Sequence, residues 1–326
     1  MQLHRTTSFP NAVRRGVLGV ALGGAAWHLW QRVISMTTFP PFARLIGELV
    51  APEPGMEVYD PSAGAGMLLR AASGAASTKA GSNGSARLRL FGQEIDPLAC
   101  ALGRIVLSRG PADVVLARGD TLQEPAFVEG DRLRTFDVVV ANPVWEQRVD
   151  PAVYRNDRFG RFGYGIPPAE YADWGWVQHC VASMKPEARL AVVLGVGALS
   201  RAAQSCGTSS ETDIRKAFIE ADLIEAVVWC SPDEPLLPAR RLNDAIAPRV
   251  TESAIIVMSR SKRSPEHVLM IDASRVFRAQ RRRPRATLDA IVETYRRGVA
   301  APGAAIVHAS TIAEHGYDLR PNRYQS

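Results

Sequence analysis

The sequence predicts an α/β fold built on a seven-stranded, mostly parallel sheet with helices on both faces. Three observations carry this. From Met56 onward, short β-branched runs alternate with helical patterns, the mark of parallel strands joined by crossover helices. One run, FDVVVANP (136–143), is apolar enough to be buried on both sides, as a central parallel strand is. The composition is that of a globular chain: 326 residues, 46% hydrophobic and 22% charged. That balance excludes a disordered, collagen-like or multi-span membrane protein.

The first 36 residues differ from the rest. Arg14 and Arg15 precede an apolar stretch over 16–30, interrupted by Gly19, Gly23 and Gly24. A membrane span needs about 20 apolar residues, so this stretch is too short for one. No small-x-small cleavage site follows it. Residues 1–36 therefore read as an N-terminal extension, and 37–326 as one domain.

Within that domain MEVYD (56–60) is the first strand, followed by a helix over 67–76. Residues 73–87 are rich in Gly, Ser and Ala and read as a flexible surface insert. LRLFGQEI (88–95) is the second strand, with a helix over 97–109 that starts on Pro97. DVVLARGD (113–120) and the 136–143 run are the third and fourth strands. A helix over 169–184, then LAVVLGVG (190–197), LIEAVVWC (223–230) and SAIIVMS (253–259), complete the count. Residues 231–250 form a polar, proline-bearing loop.

The four cysteines, Cys100, Cys180, Cys206 and Cys230, include no CxxC pair and no cluster with histidine. This argues against a disulfide framework and against a metal site, and it points to a reducing, cytoplasmic compartment. Net charge is +6, from 35 Arg and 4 Lys against 33 acidic residues. The surplus suits a nucleic-acid partner, because each phosphate contact releases counterions. Arginine and alanine richness also follows from genomic base composition, so the charge supports that reading without establishing it.

In an open α/β sheet, ligands bind beyond the carboxyl ends of the strands. The unusual polar motifs fall there. After the first strand comes Asp60-Pro61-Ser62-Ala63-Gly64-Ala65-Gly66, whose glycines allow a ligand to approach the backbone ahead of a helix N-terminus. It lacks the Gly-Lys-Ser/Thr ending of a phosphate loop, which disfavours a nucleoside triphosphate. The second strand ends at Glu94, where a carboxylate can accept from both hydroxyls of a ribose, or simply be solvated. The third ends in Gly119-Asp120, which can meet an exocyclic amine or mark a turn. The fourth ends in Asn142-Pro143-Val144-Trp145. Here a side-chain amide oxygen and a backbone carbonyl can both accept from one planar amino group, drawing its lone pair out of ring conjugation so that it can attack an electrophilic methyl group. Trp145 can stack on the base that carries the amine, or the four residues can simply form an Asx-Pro turn capped by a core tryptophan.

The ordered set DPSAGAG, FGQEID, GDTL and NPVW resembles the N6-adenine DNA methyltransferases, and most of all the modification subunit of type I restriction–modification systems. Later segments keep the same family's order: Tyr164-Gly165-Ile166-Pro167-Pro168, Ala172-Asp173-Trp174 with Gln178-His179, AVVLGVGALSR (191–201) and YDLRPNRY (317–324). The resemblance implies a Rossmann-like fold dependent on S-adenosyl-L-methionine, with adenine N6 in DNA as acceptor and the target base flipped out. It implies partners as well: DNA, a separate specificity subunit and a restriction subunit, with no membrane partner. By position, Thr38, Phe39, Asp60, Ser62, Gly64, Gly66, Glu94 and Asp120 match the cofactor-binding residues, and Asn142, Pro143 and Trp145 the catalytic ones.

Val144 stands where the family has a second proline, and the family's N-terminal helical domain and C-terminal helical tail have no counterpart, so the chain reads as the catalytic core. Two rivals follow: the same chemistry on an RNA base or a protein glutamine, and a non-catalytic scaffold. Arg275, Arg278, Arg281, Arg282, Arg283 and Arg285, with Arg296 and Arg297, form a basic cluster able to grip phosphates or to lie in a solvated loop. Tyr164, Phe159 and Phe162 are expected as walls of a base pocket, and His179 as a helix-face histidine bonded locally.

Overall fold

A computed structural model describes residues 38–80, 87–230, 252–280 and 283–325. The expected extension 1–36, the 231–250 loop, and Arg281 and Arg282 lie outside the described residues.

The chain opens with α1 (Pro40–Val50), where two prolines at the helix start lose no needed N–H. It continues through β1 (Glu57–Asp60), α2 (Met67–Ala80), β2 (Arg89–Glu94), α3 (Pro97–Leu107) and β3 (Asp113–Arg118). A small hairpin, β4 (Val128–Glu129) and β5 (Arg132–Leu133), precedes β6 (Phe136–Ala141). Then come α4 (Pro151–Arg155), α5 (Asp173–Ala182), β7 (Met184–Gly195), α6 (Glu211–Glu220) and β8 (Ile224–Cys230). The last elements are β9 (Ser253–Ser259), β10 (His267–Asp272), α7 (Ala273–Ala279), α8 (Pro284–Arg297), β11 (Ala304–His308) and α9 (Ala309–Glu314).

Among the described residues the main sheet has nine strands, in the order β11-β10-β8-β9-β7-β6-β1-β2-β3. Seven are mutually parallel; β9 enters antiparallel between β7 and β8, and β11 pairs antiparallel with β10. The expected seven-stranded count is therefore corrected to nine. It omitted β10 and β11, and it included β9, the antiparallel insertion.

Alternation along β6 sends Val138 and Val140 to one face, into the core cluster built with α1, α2, α7 and α8, and Val139 and Ala141 to the other, into the cluster built with α5, α6 and α9. The Gly/Ser/Ala-rich segment is not a loop over residues 73–80: α2 runs through it. Leu69, Ala72 and Ala76 recur at helical spacing into the core, and Ser77 and Thr78 return their hydroxyls to the carbonyls of Ser73 and Gly74. Ahead of that segment α1 and α2 approach closely; a Cβ at Gly47 would stand 2.8 Å from the Ala71 carbonyl oxygen. The expected 169–184 helix is shorter, and Met184 already belongs to β7, which runs from there to Gly195. The basic cluster is largely helical, carried by α7 and α8.

Candidate active site

Strand order reverses at β1: the chain builds outward through β2 and β3, then returns to the other side of β1 with β6 and β7. Such a switch point leaves a crevice beyond the carboxyl ends of the strands. A cleft of about 460 Å³ opens there, lined by residues that follow β1, β2, β3 and β6.

Seven of the eleven sequence-predicted site residues line it: Thr38, Asp60, Ser62, Gly64, Glu94, Asp120 and Asn142. Gly66 lies beneath, at φ 77°, where a Cβ would stand 2.9 Å from Leu107 Cδ1. Phe39 packs against the core next to α1, and Pro143 is buried. Trp145 is half-buried against the core rather than among the lining residues, its ring 3.3 Å from where a Cβ on Gly195 would be. The exposed apolar group at that point of the cleft is Val144, 69% exposed.

The loop after β1 is tied to the end of β2. Ala63 N–H donates to the Gln93 carbonyl at 3.0 Å, and Gly64 N–H to Glu94 Oε2 at 2.8 Å. The other Glu94 oxygen accepts from Asp96 N–H at 2.8 Å. Asp60 is buried, and its Oδ1 accepts from Ser62 N–H at 3.0 Å. Burial pushes its carboxyl up to about 7, opposed by the Ser62 N–H and reinforced by the Glu94 charge. Asp120 caps the turn after β3, accepting from the N–H groups of Leu122 and Gln123. Asn142 Nδ2 donates to Thr38 Oγ1 at 3.3 Å, which leaves the amide oxygen to accept elsewhere.

Arg161 braces the walls. It is 3% exposed, donates to Asp157 Oδ1 at 2.7 Å, and reaches the carbonyls of Thr121 and Leu122 at 3.0 and 2.7 Å. The loop after β6 is thereby fastened to the loop after β3. His179 is buried between Tyr59 Oη at 3.1 Å and Arg161 Nη1 at 3.2 Å. Burial and the neighbouring guanidinium hold its imidazole well below the usual range, so it is neutral. Tyr164 and Phe162 are not pocket walls: Tyr164 stacks on Phe218, and Phe162 packs edge-on against Tyr154. Phe159, also outside the cleft, lies against the guanidinium of Arg158.

Gln93, Ile95, Thr121, Gln147 and Trp176 line the cleft without having been singled out from sequence. Ile95, 61% exposed directly after a strand-end carboxylate, carried a readable signal: a large apolar residue where a polar turn is expected. Gln147 and Trp176, joined by an Nε1–H to Oε1 bond of 3.1 Å, carried none.

The strand order and the cleft at its reversal define an S-adenosylmethionine-dependent methyltransferase fold. The chain shares it with a putative class I S-adenosylmethionine-dependent methyltransferase from Listeria monocytogenes, at a TM-score of 0.53 and 16% identity over 78% of this chain and 68% of that one. The type I restriction–modification methyltransferase subunit from Streptococcus thermophilus superposes at a TM-score of 0.70 with 24% identity, over 89% of this chain and 59% of that one. The chain belongs to the N-6 DNA Methylase family, whose profile matches residues 38–326. It is 29% identical over 304 residues to the type I restriction enzyme MjaVII methylase subunit of Methanocaldococcus jannaschii, across 86% of this chain and 47% of the relative. It is 26% identical over 237 residues to the HindI methylase subunit of Haemophilus influenzae, across 71% and 47%. The chain thus spans about half the length of these curated relatives. Among the described residues no helix is long and apolar enough to cross a membrane, and no group of His, Cys, Asp and Glu could hold a metal ion.

Proposed function

We propose that the chain transfers a methyl group from S-adenosyl-L-methionine to the N6 amino group of adenine in DNA. The observation that carries the reading is that Asn142 opens onto the same cleft as Asp60, Glu94 and Asp120. The lining suits the cofactor: carboxylates for a molecule cationic at its methionine end, and acceptors for a ribose and an adenine amine. When bound, it supplies an electrophilic methyl group. Glu94 keeps lone pairs for the ribose hydroxyls beyond those used by Gly64 and Asp96. Asp120 meets the adenine of the cofactor, and Thr38 fixes the Asn142 amide. The Asn142 amide oxygen and the Pro143 carbonyl accept hydrogen bonds from the two N–H groups of the target amine, which frees its lone pair to take the methyl group; transfer leaves a neutral thioether behind, and the methylated nitrogen releases one proton to solvent.

The acceptor is a base flipped from duplex DNA, since the amine is out of reach inside the stack. Arg278, Arg283 and Arg285 support a DNA partner: they are exposed on α7 and before and within α8, with no acidic partner among the described residues. Sequence selection falls to a separate specificity subunit, and cleavage to a restriction subunit. The test is incorporation of labelled methyl into adenine-rich duplex DNA, with and without a specificity subunit. Asn142→Ala should abolish transfer and leave cofactor affinity within about twofold of wild type, because the amide acts on the target amine. Transfer that survives Asn142→Ala would overturn the assignment.

A further inference from the structure

Arg201 follows β7 and the short 3-10 turn Val196–Leu199. Its guanidinium meets three carboxylates. Nε and Nη2 donate to the two Glu211 oxygens at 2.6 and 2.9 Å, Nη2 also to Asp173 Oδ2 at 2.8 Å, and Nη1 to Glu146 Oε1 at 2.9 Å. Its planar face lies 3.6 Å from the centre of the Tyr171 ring. The Glu211 and Asp173 side chains are 0% and 1% exposed, and between them they already pair the arginine. Glu146 is different: 62% exposed, it is an ordinary surface glutamate except that it is drawn into this cluster.

Glu146 is the residue directly after the Asn142–Trp145 turn. Its backbone has φ 54°, a left-handed conformation that a side-chain-bearing residue adopts only when its surroundings impose it. Two contacts impose it here: Glu146 N–H donates to Asp173 Oδ1 at 3.3 Å, and the Glu146 carboxylate meets Arg201. The segment ahead of Arg201 is cut to fit. A Cβ at Gly197 would stand 2.7 Å from Arg201 Nη1, and one at Gly195 would press on the Trp145 ring at 3.3 Å. Arg215 secures the other side, donating to the Arg201 carbonyl at 2.7 Å and to the Tyr317 carbonyl at 2.9 Å.

We propose that Arg201 is a positioning residue for methyl transfer: acting through Glu146, it holds the Asn142–Trp145 turn in register with the cleft, and Gly195 and Gly197 supply the space this needs. The clamp rests on the proposed function for the reaction it serves, while its geometry can be read without turnover. Lysine at 201 keeps the charge but loses the planar fork, so it cannot serve three carboxylates at once. A displacement of about 1 Å at the reacting groups costs about 100-fold in rate.

The experiment compares wild type, Arg201→Lys, Glu146→Ala and the double variant in the full chain. Three readouts are taken: single-turnover methylation at saturating duplex and cofactor, cofactor affinity by calorimetry, and fluorine NMR of protein labelled with 5-fluorotryptophan. The Trp145 resonance is assigned with Trp145→Phe. Both single variants should lower the single-turnover rate by about tenfold or more with cofactor affinity within about twofold. Both should move or broaden the Trp145 resonance while leaving that of Trp229 in place, and the double variant should be no slower than Arg201→Lys alone. If Arg201→Lys leaves rate and resonance at wild-type values, the clamp is overturned. It is equally overturned if Glu146→Ala changes neither, since Arg201 would then serve only Glu211 and Asp173. A wild type that transfers no methyl group even with a specificity subunit added refutes the proposed function instead, and the Trp145 resonance then decides the clamp alone.

Discussion

Replacing Asp60 by Asn should stabilise the protein at neutral pH. Asp60 is 1% exposed, and its carboxyl is raised from 3.8 to about 7, chiefly by burial. An unfolded chain releases that proton near pH 4, whereas the folded chain holds it to about pH 7. Across that window the unfolded state binds fewer protons, so this group's contribution to stability declines as pH rises from 4 to 7. About three powers of ten in proton affinity correspond to about 4 kcal/mol, a ceiling for the cost above pH 7. Asparagine keeps the oxygen that accepts from Ser62 N–H and has no proton to lose. Urea denaturation of wild type and Asp60→Asn at pH 5 and pH 8 measures the effect. The variant should gain more at pH 8 than at pH 5, by about 2 to 3 kcal/mol. A variant no more stable than wild type at pH 8, or an equal gap at both pH values, would refute the reasoning. The same carboxylate should matter to a cationic cofactor, so wild-type affinity for S-adenosyl-L-methionine should rise between pH 6 and 8, and Asp60→Asn should flatten that rise.

Glu94→Ala removes the acceptor for Gly64 and Asp96 N–H together with the proposed ribose contact, so calorimetry should show cofactor affinity lower by about tenfold or more; equal affinity would remove Glu94 from the ribose site. Gly66→Ala forces a methyl group at φ 77° against Leu107 and should cost about 1 to 3 kcal/mol in urea denaturation; an unchanged midpoint would contradict the packing. Val144→Pro should hold or raise methylation, because Val144 is exposed and its N–H makes no hydrogen bond among the described residues; a loss of more than about tenfold with the fold intact would show that the valine backbone is needed.

The parts legible in the sequence were those whose signal is local. Apolar runs located β1, β2, β3, β6, β8 and β9, and the motifs at the first four strand ends fell where one cleft gathers Asp60, Glu94, Asp120 and Asn142. The helical nature of residues 77–80, beyond the expected helix end at 76, is not legible, because small polar residues serve linkers and helices alike. HVLMID carries an apolar run like those of the recognised strands, and its pairing with β8 and β11 identifies it as one. Pairings across the sequence left no local trace at all. Thr38 meets Asn142, and Arg201 meets Glu146, through folding alone. A core tryptophan at 145 is readable from the turn, but its packing on Gly195 depends on where β7 ends.

The antiparallel entry of β9 between β7 and β8 also governs how the chain can assemble during synthesis. When β8 leaves the ribosome, the place beside β7 belongs to a strand not yet made, so β8 and everything beyond it must wait for Ser253–Ser259. Until then β7 presents an open edge bearing Leu190, Val192 and Leu194, a template for pairing with another nascent chain. A premature stop before Ser253 would therefore yield more than a shortened chain: a half-sheet with its stickiest border uncovered, a product for chaperones and proteases to remove.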